Sequence, residues 1–126
     1  MRFAIPLAAF ALACSAPAFA TGGFQCRPLS GAGPILTMSL GHHASARPLS
    51  VILQEGRRTL STEGREAPLA VSQSWVDSSR LWLDLIDSNL TKREATLRAA
   101  FQAKKHYAVG TLVRGGKTYR VRCIEA

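Results

Sequence analysis

Two cysteines near opposite ends of the chain, Cys26 and Cys123, and a run of cationic side chains before the C-terminus are the residues whose types and spacing could do chemistry. A thiol pair without C-x-x-C spacing is poorly suited to redox exchange. In an oxidising compartment it has one connectivity, so a disulfide joining the first strand to the last is expected. Closing so long a loop is worth about 4 to 5 kcal/mol of unfolded-state entropy, comparable with the whole stability of a small domain.

The cations are unevenly spread. From Ala95 to Ile124 there are seven basic residues, Arg98, Lys104, Lys105, Arg114, Lys117, Arg120 and Arg122, and no acidic one. Between residue 21 and the C-terminus outside that stretch, eight basic residues meet eight acidic ones, so the net charge of +8 belongs, apart from Arg2, to the last thirty residues. Gly115-Gly116 reads as a two-residue hairpin loop. It sets 114 opposite 117, 111 opposite 120 and 109 opposite 122. Leu112, Tyr119, Val121 and Cys123 then share a buried face, Arg120 and Arg122 point the other way beside Thr111, Val109 and Tyr107, and Arg114 and Lys117 crowd the tip. The candidate binding residues are therefore Arg114, Lys117, Arg120, Arg122 and Tyr107, a basic strip able to attract phosphate or carboxylate groups. The competing reading is an edge hairpin charged against sheet-to-sheet aggregation.

Other chemistries find no pattern. His42 and His43 are adjacent, so an extended backbone points them apart, and with His106 they offer no familiar metal spacing. Asp84 and Asp87 lie three apart, on opposite faces of a strand, which does not suit paired-carboxylate catalysis. Serine-nucleophile, phosphate-loop and dinucleotide motifs are absent. No catalytic residue, metal or cofactor is expected, and the chain is read as a non-enzyme.

The elements that must carry these residues have a β rhythm, with Gly, Pro and Ser clusters every eight to twelve residues or so. Strands are expected at Phe24 to Leu29, Ile35 to Leu40, Leu49 to Leu53, Leu69 to Val76, Leu81 to Asp87, Tyr107 to Arg114 and Lys117 to Ile124, with a short Arg58 to Ser61 segment pairing back. In the clearest of them Leu81, Leu83 and Leu85 face one way and Trp82, Asp84 and Ile86 the other. Trp75 falls on the Val71 face of its strand, and at least one of Trp75 and Trp82 is expected inside the core.

Residues 91–105 leave two readings open. Thr91-Lys92-Arg93-Glu94 has capping-box spacing before good helix formers. Against a helix, Ala95, Leu97, Ala99 and Phe101 alternate as a strand face, and β neighbours on both sides favour the strand. The fold class is thus all-β: a small antiparallel barrel or sandwich of about seven or eight strands closed by one disulfide, with either a helix or a strand at 91–105.

The N-terminus reads as an export signal. Met1 and Arg2 precede an apolar stretch from Phe3 to about Ala13, and Ala18-Phe19-Ala20 has the small residues of a signal-peptidase site. Residues 1–20 are expected to be a cleaved secretory signal peptide and 21–126 one periplasmic or secreted domain. Ala11-Leu12-Ala13-Cys14 is a degenerate lipobox, with lipidation at Cys14 the alternative. At 47% hydrophobic residues the chain is too apolar for a disordered polycation. No further run is long enough to span a membrane as a helix.

Phe24-Gln25-Cys26 and Val121-Arg122-Cys123, bracketing about a hundred exported residues, resemble in plan the small periplasmic β-barrel inhibitors of C-type lysozymes. That family's inhibitory segment is a Ser-Gly-x-x-Tyr loop. The nearest string here, Ser61-Thr62-Glu63-Gly64-Arg65, departs from it and is followed by no Tyr, so no residue roles carry over. The functional expectation is a binding or interaction module whose basic C-terminal hairpin faces an anionic envelope component or an acidic protein. The alternatives are a lysozyme-inhibitor-like protein and a purely structural or stress-related envelope protein. Nucleic acid is not expected as a partner, since closely spaced aromatics are not evident.

Overall fold

Apolar residues at every second position become nine antiparallel strands in a computed structural model, which describes residues 22–41, 48 and 50–125. The expected signal peptide at 1–20, with Cys14, and both His42 and His43 lie outside the described residues. The strands are β1 (Gly22–Pro28), β2 (Ile35–Leu40), β3 (Ser50–Glu55), β4 (Arg58–Ser61), β5 (Leu69–Val76), β6 (Arg80–Asp87), β7 (Arg93–Phe101), β8 (Tyr107–Arg114) and β9 (Lys117–Glu125). They form one sheet in the order β4-β3-β2-β1-β9-β8-β7-β6-β5. This is a meander whose first and last strands pair, so it curls into a nearly closed barrel with its seam between β4 and β5.

The strand count exceeds the expected seven or eight because Arg58–Ser61 and 93–101 both pair as full members of the sheet. The described residues contain no helix, which settles 91–105 as a turn and a strand. Ala95, Leu97 and Ala99 are buried at period two beside Leu81, Leu83 and Leu85, and a helix would break that shared face. The residues with capping-box spacing serve a turn: the Asp87 carboxylate accepts from Thr91 N at 2.7 Å, Lys92 N at 2.8 Å and the Thr91 hydroxyl at 2.9 Å.

The interior is filled by Phe24, Leu36, Met38, Val51, Leu53, Leu60, Leu69, Ala108, Leu112 and Val121 together with Leu81, Leu83 and Leu85 of β6 and Ala95, Leu97 and Ala99 of β7. Within it Cys26 and Cys123, directly opposite on β1 and β9, form the disulfide, with 97 residues of sequence separation and both residues fully buried. Gly110 lets β7 and β8 approach closely on the inner side: a Cβ there would lie 1.9 Å from the Arg98 carbonyl oxygen and 2.5 Å from the Ala99 Cα. Gly115 and Gly116 take φ of 60° and 77°, the left-handed pair of a tight hairpin turn.

Different groups lie near the two ends of the barrel. At one, Phe24 and Phe101 meet with ring centroids 5.4 Å apart. At the other, Arg114 donates to Glu55 from Nε at 2.7 Å and Nη2 at 2.8 Å, and from Nη1 to Glu94 at 2.7 Å.

Candidate functional site

The hairpin register is the one read from the Gly-Gly turn: Arg114 faces Lys117, Thr111 faces Arg120 and Val109 faces Arg122. Alternation then separates the five candidate residues. Arg114 shares the parity of buried Ala108 and Leu112, so it turns inward and its guanidinium is occupied by two carboxylates. It is therefore not part of an outward basic strip. Hydrogen bonds from Arg114 hold the Glu55 carboxyl below its usual range, and the same contacts push the guanidinium further from deprotonation. Lys117 is exposed at the turn. Arg120 and Arg122 are exposed on the outer face, and the Arg122 guanidinium lies over the half-buried Tyr107 ring at 4.7 Å.

The strip gains a member from the other end of the chain. Arg27 on β1 stands directly opposite Arg122 on β9. Arg27 is steadied by a 2.8 Å bond from its Nε to Gln25 Oε1. Among the described residues neither Arg27, Arg120 nor Arg122 has a carboxylate within salt-bridge distance. The expected Cys26–Cys123 disulfide is the sequence signal that brings residue 27 near residue 122, and the pairing of β1 with β9 sets the two directly opposite.

Around the barrel the outer face continues into an aromatic region. One cross-strand row runs Arg120, Thr111, Arg98, Trp82, Trp75 across β9, β8, β7, β6 and β5. Four steps of about 4.8 Å make it roughly 19 Å long. The expectation of a core tryptophan is overturned. Trp75 is 51% and Trp82 37% exposed. Trp82 lies outside because Leu81, Leu83 and Leu85 claim the interior. Trp75 lies outside, contrary to its parity with Val71, because a bulge between Val71 and Gln73 inserts Ser72 and exchanges the faces of β5. The two indoles are thus cross-strand neighbours, and closely spaced aromatics are present after all.

Arginine side chains interleave with these rings. The Arg80 guanidinium lies 5.6 Å from the Trp75 ring and 5.2 Å from that of Trp82, and Arg98 lies 5.2 Å from Trp82 on the β7 side. Arg98 is held by a two-pronged contact with Asp84, at 2.9 and 3.2 Å, and also donates to the Leu97 carbonyl at 2.8 Å. Asp84 is the buried charged residue of the described chain, 2% exposed although it faces outward. Asp77 organises the β5–β6 turn by accepting from Trp75 Nε1 at 2.7 Å, Ser79 N at 2.8 Å, Ser79 Oγ at 3.1 Å and Arg80 N at 2.7 Å. Those bonds, the indole's foremost, hold its carboxyl far below the usual range. Beside the rings is an open groove of about 320 Å3 lined by Gln73, Ser74, Trp75, Trp82, Leu83, Asp84 and Arg98.

His106 lies in a separate hollow with Phe24, Phe101, Lys105 and Glu125, and no group of three His, Cys, Asp or Glu gathers among the described residues. Ser61 ends β4, and Glu63, Gly64 and Arg65 are exposed in the following loop. Comparison with protein-family models, curated proteins and solved structures finds no match to this chain.

Proposed function

We propose that this chain is an exported, non-enzymatic binding protein that holds anionic envelope material against the outer face of β1, β9 and β8. The observation that carries the reading is the direct opposition of Arg27 and Arg122, with Arg120 exposed two residues away on β9. Like charges directly opposite across two strands destabilise a sheet. A phosphate or carboxylate lying between them turns that repulsion into charge-assisted hydrogen bonds. An oxidising compartment such as the periplasm would keep Cys26 and Cys123 joined, in keeping with export.

The test is retention of the full chain on an anionic matrix as salt is raised. Binding should fall steeply with ionic strength, and Arg120→Glu with Arg122→Glu should remove most of it. Retention indifferent both to salt and to these substitutions would exclude the reading.

A further inference from the structure

We infer that Trp75, Arg80, Trp82 and Arg98 form a sugar-stacking subsite, and that the anionic material is an acidic polysaccharide. The inference rests on the anion-facing reading for the ligand's charge, but the subsite has observations of its own. Two large indoles stand side by side on the barrel exterior, half and more than a third exposed, where a solvated sheet face has no need of them. The Asp77 bonds fix the Trp75 ring and the backbone that launches Arg80 together, so the platform is ordered before a ligand arrives and less freedom is lost on binding.

Charge balance selects the ligand. Within the subsite the cations Arg80 and Arg98 are matched by Asp77 and Asp84, so a run of phosphates gains little net attraction there. A lipid headgroup has no flat apolar face to lay on an indole. A pyranose ring has one, formed by its axial C–H bonds, while its hydroxyls donate to carboxylate oxygens and accept from guanidinium N–H groups. The row from Trp75 through Trp82 and Arg98 leads on to Arg120, beside which Arg122 and Arg27 can hold the carboxylates of following sugar units.

Both tryptophans of the chain lie in this subsite, so their emission reports on it alone. Titration of the full chain with polygalacturonate should give a saturable change in tryptophan emission. Trp75→Ala and Trp82→Ala should each weaken binding about tenfold, and Trp75→Phe and Trp82→Phe, which keep a ring, should recover part of the loss; circular dichroism verifies the fold of each. Salt-sensitive binding that leaves the emission unchanged and ignores all four substitutions overturns the subsite and leaves the basic face standing. No binding of polygalacturonate overturns the sugar assignment, as does an equal or stronger tryptophan response to single-stranded DNA or to phosphatidylglycerol vesicles at the same ionic strength. A tryptophan response that survives Arg120→Glu and Arg122→Glu with undiminished affinity overturns instead the basic-face reading and the acidic character given to the sugar.

Discussion

Arg114 on β8 meets both carboxylate oxygens of Glu55 on β3, a residue 59 positions earlier, from inside one end of the barrel. The contact joins β3 and β8, two strands that do not pair with each other in the sheet. Its side chains are mostly buried, 13% exposed for Arg114 and 28% for Glu55. Removing one member leaves the other's charge poorly solvated. Arg114→Met, which strands both Glu55 and Glu94, should cost about 3 kcal/mol at neutral pH, the low end for a broken buried pair because some water reaches it.

The same relationship sets an acid limit. Glu55 titrates lower in the folded chain than when unfolded, so its contribution is complete above the ordinary carboxylate range and is lost as the pH falls through that range and on through the depressed folded value. Urea midpoints measured from neutral pH downward should therefore decline for the wild type, and the gap between wild type and Arg114→Met should close. A gap that stays constant into strong acid would show that the carboxylates are not the source of the stabilisation.

The Cys26–Cys123 bond closes 97 residues. Reduction should lower the unfolding free energy by about 4 to 5 kcal/mol through the entropy returned to the unfolded chain. Urea melts with and without a thiol reductant, and of the double variant Cys26→Ala with Cys123→Ala, measure it. The reduced protein and the double variant should agree closely if the covalent link, not packing of the sulfurs, is what matters.

Most of this barrel is legible in the sequence because its interior is written at period two. Leu81, Leu83 and Leu85 leave no doubt which way β6 faces, and Gly115-Gly116 sets the register of the last hairpin. At 91–105 good helix formers, Ala, Leu, Arg and Lys, compete with the alternating face of Ala95, Leu97, Ala99 and Phe101; the β neighbours favour the strand, and pairing with the inward faces of β6 and β8 bears it out. The candidate site was less legible. Arg114 follows the parity of its strand inward, which the sequence implies, but its carboxylate partners Glu55 and Glu94 come from elsewhere in the barrel. Trp75 was hidden by one inserted residue at Ser72, since a bulge reverses every later side chain and has no sequence signature here. Arg27 joins the basic face through the β1–β9 pairing, for which the expected Cys26–Cys123 disulfide is the one sequence signal.

Close approach at Gly110 ties the fold to the aromatic region. A methyl group there would collide with the Arg98 carbonyl, so Gly110→Ala must push β7 away from β8 and should cost about 2 to 3 kcal/mol. The backbone of Arg98 moves with β7, and the Arg98 side chain carries the contacts with Asp84 and Trp82. A shift in tryptophan emission should therefore accompany the drop in urea midpoint. Gly116→Ala, strained by its positive φ but facing open space, should destabilise less, by about 1 kcal/mol, and leave the emission unchanged.

The opposition of Arg27 and Arg122 makes a prediction that separates a binding face from a merely solvated one. If these arginines served only to keep the sheet soluble, a single charge at either place would do as well as two facing each other. Directly opposed like charges cost a sheet roughly 0.2 to 1 kcal/mol, so Arg27→Gln should raise the urea midpoint slightly at low salt, and the gain should shrink as salt screens the repulsion. The same substitution should weaken retention on an anionic matrix, because a bridging phosphate or carboxylate loses one of its two guanidinium donors. Arg93, exposed at the start of β7 and away from this pair, is the control: Arg93→Gln should alter neither property appreciably. Stability gained together with binding lost marks the pair as held against the fold's own preference, and a variant that gains stability while binding as before would assign anion capture to other residues.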